Sequence, residues 1–388
     1  MLTKFDDFPL HQTSAPLAYL ATSERNAYGR YWFNGFDPEG EFYFGIAFGV
    51  YPHREVMDCA LSIVRKDGTQ DTFRASRHLT GDRTDMRVGP LTLAIEDPMR
   101  RLRITILPND TGITADLIFH ARGPVHEEPM DIMRQGVRTV MEVSRYTQFG
   151  MWEGFISVGD RRQDIDPAQI YGTRDRSWGW RWIGEREAGI SQAMPQQLFW
   201  LWAPIHWPQK CTHFGVMESA QGIPSKKFTQ VFPAWPISSD FDPLDSSGIS
   251  PGQDAQHRLK FHAGSRLADT SEIDLTIDGR VKTLVCEPLL TFPMMAIGYF
   301  HDDWGHGFYK GELAINAEHT RIDDLPPLSP LRQHVQQVIR VTCDGEVGHG
   351  VLEQLIVGPH ERYGLQGFLD PAPQQGSVAV RPPSRDVT

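Results

Sequence analysis

Residues 42–50 read Phe-Tyr-Phe-Gly-Ile-Ala-Phe-Gly-Val, the clearest strand signal in the chain. Large apolar side chains stand at every second position, with Tyr, Gly and Ala between them. Alternation with a period of two is typical of a β-strand that buries one face. The same alternation returns at 91–95, 113–119 and 273–277. The chain is therefore predicted to be rich in half-buried strands.

Turn signals favour an antiparallel arrangement of these strands. Asp-Gly pairs occur at 67–68, 278–279 and 344–345, each between two strand-like runs. Asp-Gly provides the positive φ angles that a two-residue hairpin turn requires. Long amphipathic helical patterns are scarce, and 35 glycines and 28 prolines interrupt the chain. The predicted fold class is all-β, with antiparallel barrels or sandwiches.

Composition excludes several classes of protein. The 388 residues are 40% hydrophobic and 22% charged, which is ordinary for a globular protein. The net charge of −11 argues against non-specific binding of nucleic acid, because phosphate contacts require clustered Lys and Arg. The four cysteines are far apart and form no CxxC pair, so we expect reduced, partly buried thiols.

The length favours two domains. We expect an N-terminal β domain over 1–187, a C-terminal β domain over 188–370, with the boundary near 185–192, and a flexible tail over 371–388. The first residues contain no apolar segment typical of a secretory signal, and no run is long and apolar enough to span a bilayer. A cytoplasmic location is expected.

One polar segment is set among tryptophans. Residues 171–182 read Tyr-Gly-Thr-Arg-Asp-Arg-Ser-Trp-Gly-Trp-Arg-Trp. On a strand, Asp175 and Ser177 would share one face, and Arg174 and Arg176 the other. The flanking arginines would lower the pKa of Asp175 unless burial overrides them, which favours a base or a hydrogen-bond anchor. The alternative is a buried Arg–Asp pair that fixes the register of a strand.

A second polar segment, residues 299–307, reads Tyr-Phe-His-Asp-Asp-Trp-Gly-His-Gly. On a strand, His301 and Asp303 would share a face and His306 would lie opposite, so a metal site lacks converging ligands. A catalytic His–Asp pair is favoured, because histidine titrates near neutral pH and a carboxylate can orient it. The alternative is a turn whose histidines bond to backbone carbonyls.

Aromatic residues accompany both segments. Residues 199–207 place Trp200 and Trp202 on one face of a predicted strand. Aromatic faces stabilise cations, although the same pattern is common in barrel cores. Gln148, before a strand-like run that ends at Val158, either hydrogen-bonds a polar end of a substrate or is an ordinary strand residue.

The sequence lacks three common catalytic or nucleotide-binding motifs. The chain contains no GxSxG, P-loop or HExxH motif.

Three motifs together resemble a known family. Tyr-Thr-Gln at 146–148, Gly-Thr-Arg-Asp-Arg-Ser-Trp-Gly-Trp-Arg at 172–181 and Gly-Tyr-Phe-His-Asp-Asp-Trp-Gly-His-Gly at 298–307 are similar, in the same order, to motifs of the lipocalin-like group around carotenoid 1,2-hydratase and AttH-like proteins. The resemblance implies two lipocalin-like barrels with a site near their interface. It also implies acid–base chemistry without a cofactor on hydrophobic, isoprenoid-like molecules.

The chain departs from the family pattern at three positions. Thr147 stands where the family has Glu, Arg176 where it has His, and Asp302 where it has Pro. The loss of an acid and a histidine indicates a different substrate or a different reaction.

The leading hypothesis is an enzyme that protonates, hydrates, cyclises or isomerises a terpenoid or polycyclic substrate without a cofactor or a metal. Asp175 and His301 are the expected acid–base pair, with Asp303 orienting a histidine and His306 as a further catalytic candidate. The residues expected to bind substrate are Arg174, Arg181, Trp178, Trp180, Trp200, Trp202, Gln148, Tyr299 and Trp304.

Two rival hypotheses remain. One is a lipocalin-like carrier or sensor that binds a hydrophobic ligand without changing it. The other is a hydrolase or lyase acting on an aromatic or steroid-like compound. The expected partner in each case is a hydrophobic small molecule and not nucleic acid. The sequence is also compatible with a homodimer and, at most, with transient membrane contact to collect substrate.

Overall fold

The computed structural model describes residues 2–10, 14–184, 197–252, 254–277 and 279–373. Two antiparallel sheets and no α-helix lie within these residues, so the predicted all-β class is confirmed. The expected domain boundary near 185–192 and residues 374–388 of the expected tail lie outside the described residues.

The described residues contain 23 strands, numbered here along the chain. They are β1 (Ala27–Phe36), β2 (Phe42–Tyr51), β3 (Val56–Arg65), β4 (Thr69–His78), β5 (Arg87–Val88), β6 (Leu91–Asp97), β7 (Arg101–Ile106), β8 (Ile113–Ala121), β9 (His126–Glu127), β10 (Asp131–Gln135), β11 (Arg138–Val158), β12 (Arg161–Ile165), β13 (Tyr171–Trp180), β14 (Leu198–His206), β15 (Lys210–Glu218), β16 (Pro224–Pro233), β17 (Ser250–Pro251), β18 (Ala255–Phe261), β19 (Ala268–Ile277), β20 (Arg280–Pro293), β21 (Leu313–Arg321), β22 (His334–Cys343) and β23 (Glu346–Val357). Short 3₁₀-helices span Lys4–Asp7, Pro52–Arg54, Met294–Ile297, Ile322–Asp324, Pro330–Arg332 and Glu361–Tyr363.

The first sheet forms a nearly closed barrel in the order β21-β4-β3-β2-β1-β13-β11-β8-β7-β6-β5, and β9, β10 and β12 pair with β11. The second sheet is a half-barrel in the order β17-β16-β15-β14-β23-β22-β20-β19-β18. Strand β21 comes from the C-terminal half of the chain and pairs with β4, so this half contributes an edge strand to the first sheet.

Strand β2 is buried on both faces, so the prediction of a half-buried strand was wrong there. One face fills the barrel core, and the opposite face is covered by aromatic residues from β1 and from the second sheet. A Cβ at Gly45 would lie 2.5 Å from the Trp32 ring and 3.0 Å from the Phe292 ring, so only glycine leaves room for them. Strand β8, in contrast, alternates between buried and half-buried residues as predicted.

Two of the predicted hairpins are confirmed. Asp344-Gly345 joins β22 to β23 with the two positive φ angles expected, +50° and +84°. Asp67-Gly68 joins β3 to β4 within the three-residue loop 66–68, where Gly68 has a positive φ and Asp67 does not. Asp278, in the third predicted turn, lies outside the described residues. The four cysteines are free, and three of them are buried. No helix in the described part of the chain is long and apolar enough to cross a membrane.

The outer face of β1 and β13 packs against the second sheet. Asn34 Nδ2 donates a hydrogen bond to Gln336 Oε1 at 3.1 Å across this interface. The Tyr171 and His206 rings lie 4.7 Å apart, and a buried apolar cluster contains residues of both sheets. The two sheets therefore share an interior, and a cavity lies beside this shared core.

Candidate active site

A cavity of about 200 Å³ lies between the two sheets. Strands β1, β11 and β13 form one wall, and β14, β22 and β23 form the other. The lining includes the indoles of Trp32, Trp200 and Trp202 and four methionines. Methionine side chains are flexible and polarizable, so this lining can adapt to the shape of an apolar ligand. A cavity is thus present where the family resemblance implied a site.

Asp175 lines this cavity from β13. Alternation along the strand directs Asp175 and Ser177 to the cavity and buries Arg174 and Arg176 on the opposite face, as the sequence predicted. Among the described residues, the Asp175 carboxylate has no hydrogen-bond partner, and only burial and nearby charges act on it.

The pKa of Asp175 is raised from 3.8 to about 6. Burial is the main cause; the Arg145 guanidinium opposes it, and the negative charge of Glu128 adds to it. Burial thus overrides the flanking arginines, the outcome that the sequence left open, and their side chains lie on the other face of the strand. A carboxyl group with a pKa near 6 can both donate and accept a proton near neutral pH.

Tyr299 is a second titratable group in the cavity. Its hydroxyl oxygen accepts hydrogen bonds from Arg30 Nη1 at 3.1 Å and from Arg181 Nη2 at 3.5 Å. Burial alone would raise the pKa of Tyr299, but the two guanidinium groups outweigh burial and lower it. A phenol between two cations is suited to donating a proton or to stabilising a negative oxygen beside it.

The turn after the 3₁₀-helix Met294–Ile297 positions Tyr299. The helix ends at Gly298, which has a φ of +105°. A Cβ there would lie 2.7 Å from the His306 ring, so the position requires glycine for both its conformation and its space. Phe300 has a φ of +57°, a conformation that bulky residues rarely adopt. Two left-handed residues therefore flank the one that enters the cavity.

Glu353 of β23 lines the cavity and was not predicted. Its Oε1 lies 2.9 Å from His334 Nε2 and accepts a hydrogen bond from Trp200 Nε1 at 3.2 Å, and its Oε2 accepts one from Gln336 Nε2 at 2.5 Å. Burial opposes ionisation, but these donors lower the pKa of Glu353. The sequence signal that could have identified it is a single acid inside the apolar run 351–356.

A buried carboxylate lies beside Thr147, the position at which the related family has Glu. Glu128 Oε1 accepts hydrogen bonds from Thr147 Oγ1 at 2.7 Å and from Trp202 Nε1 at 3.3 Å. Lys226 Nζ and Arg145 Nη1 lie 3.3 Å and 3.5 Å from Glu128 Oε2. Burial alone would raise the pKa of Glu128, but these cations hold it well below its usual range. A charged acid is therefore present next to Thr147 although the motif lacks one.

The structure does not bring His301 to the cavity. His301 Nδ1 accepts hydrogen bonds from the backbone N–H groups of Asp303 and Trp304 at 3.1 Å and 3.0 Å, and its Nε2 lies 3.5 Å from Glu318. Asp303 is exposed. The expected acid–base pair of His301 with Asp175, and its orientation by Asp303, are therefore not observed.

His306 lies behind Arg30 and does not line the cavity. Its Nε2 is 2.8 Å from the carbonyl oxygen of Ile297, and its Nδ1 is 3.1 Å from Arg30 Nη1. Both contacts are satisfied when Nε2–H donates and Nδ1 accepts. Burial, together with Arg30 and Arg181, holds the pKa of His306 well below its usual range. A neutral imidazole therefore orients Arg30, which in turn donates to Tyr299.

Arg174 and Gln148 lie inside the barrel, where the structure gives them no access to the cavity. Arg174 Nη1 lies 2.7 Å from Asp7 Oδ1, and Arg174 Nε donates to Gln148 Oε1 at 2.9 Å. Their expected contact with substrate is replaced by contacts within the core. Three predicted wall residues line other cavities: Trp178, Trp180 and Trp304. The predicted site residues that line the cavity between the sheets are Asp175, Arg181, Trp200, Trp202 and Tyr299.

A metal site requires a set of ligand side chains that lie close together. In the described part of the chain, no three His, Cys, Asp or Glu side chains are close enough together to hold a metal ion.

A family model matches residues 2–366, and its description is a family of unknown function, DUF8625. The chain belongs to this family. DUF8625 carries no activity in its description, and no curated protein matches the chain.

Several solved structures are similar to this member of DUF8625. An AttH-like protein from Nitrosomonas europaea has a TM-score of 0.51 and 14% identity over 89% of this chain and 98% of that one. Kievitone hydratase from Nectria haematococca has a TM-score of 0.48 and 11% identity over 85% of this chain and 89% of that one. CghA with Sch210972 has a TM-score of 0.44 and 10% identity over 87% of this chain and 89% of that one. The likeness to the AttH-like protein confirms the fold that the three motifs implied.

Proposed function

We propose that the chain is an enzyme that transfers protons to or from a hydrophobic substrate without a cofactor. The observation that supports it is Asp175, which has a pKa of about 6 and no hydrogen-bond partner among the described residues, in a cavity lined by tryptophan and methionine. A carboxyl group with this pKa is present in both protonation states near pH 6, so it can serve either direction of a proton transfer.

Each part of the cavity has a role in this proposal. Asp175 donates a proton to the substrate or removes one from it. Tyr299, held by Arg30 and Arg181, stabilises an oxygen on which negative charge develops. The indole faces bury the apolar body of the substrate and stabilise a carbocation if one forms. Hydration, cyclisation or isomerisation of a terpenoid or polycyclic molecule fits this set of groups.

Chromatography coupled to mass analysis, which separates an isomer from unreacted substrate by its retention time, tests the proposal. The purified chain is incubated with terpenoid and polycyclic compounds, and the expected product has gained water or is an isomer of unchanged mass. Asp175→Asn should abolish most of this product, whereas Asp160→Asn, the same change at an exposed turn, should not. A carrier or sensor would return every bound compound unchanged, and that result would overturn the proposal. Fragments of the substrate would indicate a hydrolase or lyase instead.

A further inference from the structure

Arg176 is a fully buried cation without an acidic partner in the described part of the chain. Its neighbour Arg174, on the same face of β13, pairs with Asp7 at 2.7 Å. Within the described residues, the Nη1 of Arg176 donates to two backbone oxygens, that of Ser177 at 2.6 Å and that of Arg30 at 3.3 Å. Its Nε and Nη2 are buried and have no hydrogen-bond partner among the same residues. An unpaired buried charge is costly to keep, so a feature outside the described residues is expected to compensate it.

Arg176 lines a second cavity, of about 180 Å³. A second guanidinium, that of Arg83, lines the same cavity and is 6% exposed. Arg83 donates to the carbonyl oxygen of Leu17, and no described carboxylate forms an ion pair with it. Burial, followed by the positive charge of Arg176, lowers the pKa of Arg83. Two cations that repel each other therefore share one cavity.

The rest of this second cavity is mostly apolar and aromatic. Trp178 and Trp180 form part of the wall, with Tyr28, Val50 and Pro9. The Arg176 guanidinium also lies 4.5 Å from the centre of the Tyr31 ring. That contact offsets part of the cost of burial, but it leaves the Nε and Nη2 donors without a partner among the described residues. The cavity thus combines two cations with an apolar surface.

We propose that this second cavity binds a small amphiphilic carboxylate. Its carboxylate accepts hydrogen bonds from the free N–H groups of Arg176 and from Arg83, and its apolar body packs on Trp178 and Trp180. A planar guanidinium matches the two oxygens of a carboxylate. The apolar wall favours a ligand with one charge and a hydrocarbon body. The site does not contain Asp175, so it is independent of the proposed chemistry.

Calorimetric titration of the full chain with octanoate, and with 1-octanol as the matched uncharged probe, tests this proposal. Octanoate should bind more tightly than 1-octanol. Arg176→Gln and Arg83→Gln should each weaken octanoate binding about tenfold or more, because a charge-assisted hydrogen bond is lost, and leave 1-octanol binding unchanged. Arg181→Gln, in the cavity between the sheets, should have no such effect. Equal affinity for the two probes, or an equal loss in Arg181→Gln, would overturn the proposal.

Thermal unfolding separates ligand binding from a structural role. Without ligand, Arg176→Met should unfold at the same temperature as the parent chain or a higher one, because it removes an unpaired buried charge. Octanoate should raise the unfolding temperature of the parent chain and not that of the variant. If Arg176→Met fails to fold, the octanoate affinity of Arg83→Gln decides: an unchanged affinity refutes the site, and a weakened one supports it. Product formation at the other cavity is measured separately and does not depend on this outcome.

Discussion

Asp175→Asn should stabilise the folded chain at neutral pH. The pKa of Asp175 is raised from 3.8 to about 6, chiefly by burial, so folding disfavours its charged form. One pKa unit corresponds to about 1.4 kcal/mol, so the charge costs about 3 kcal/mol of folding free energy at pH 7. Asparagine has nearly the same shape without the charge. The variant should therefore be more stable than the parent chain by up to about 3 kcal/mol at that pH.

The sign of the pH dependence follows from proton binding. Between about pH 4 and pH 6 the folded state holds the Asp175 proton more tightly than the unfolded state does. The stability that Asp175 contributes therefore falls as the pH rises through this window. The difference in free energy of unfolding between Asp175→Asn and the parent chain should be near zero below about pH 4 and should reach its full size above about pH 6.

Urea unfolding followed by tryptophan fluorescence measures this difference at both ends of the window. Asp160→Asn serves as the matched control, because Asp160 is exposed and its replacement should not change the pH dependence. With a substrate in hand, kcat of Asp175→Asn should fall by about 10²–10⁴-fold, the contribution of one positioned acid or base. An Asp175→Asn variant that is less stable than the parent chain near pH 7 and retains full activity would show that the Asp175 charge is neither costly nor catalytic. Asp175 would then be a structural residue.

Three further predictions concern the same cavity and its surroundings. An absorbance titration of the parent chain should show one tyrosine that ionises with a lower pKa than usual, and Tyr299→Phe should lack this ionisation and have a lower kcat. An unchanged titration would contradict the placement of Tyr299 between two guanidinium groups. Asp7→Asn should destabilise the chain by about 3–5 kcal/mol in urea unfolding, because Arg174 loses its buried partner, while affinity for cavity ligands stays the same. Trp202→Leu should weaken binding of an apolar ligand by about tenfold, measured by calorimetry, because the ligand buries less aromatic surface; equal affinity would place the ligand elsewhere.

Local sequence patterns predicted much of the fold. Alternation identified β2, β6, β8 and β19, and Asp-Gly pairs identified two of the hairpins. The same alternation placed Asp175 and Arg174 on opposite faces of β13. It could not show that β2 is buried on both faces, because the cover over Gly45 includes Phe292, far along the chain.

The candidate site was less predictable, because its chemistry depends on contacts between distant residues. Arg174 precedes Asp175 in sequence, but its partner is Asp7, so burial rather than the adjacent arginine sets the pKa of Asp175. Glu128 and Glu353 lie in no recognisable motif, and only the folded chain brings them to the cavity tryptophans. Local sequence allowed either a catalytic His–Asp pair or a turn at 299–307, and the structure places His301 outside the lining of the cavity that contains Asp175.

Incorporation of solvent deuterium into product is the direct test of proton transfer by Asp175. The chain is incubated in heavy water with a hydrophobic compound that binds in the cavity between the sheets, and the compound is recovered and analysed by mass spectrometry. We expect deuterium on a carbon of the product with the parent chain and with Asp160→Asn, and a loss of most of it with Asp175→Asn. Recovery of every bound compound without carbon-bound deuterium, or equal incorporation with Asp175→Asn, would contradict proton transfer by Asp175.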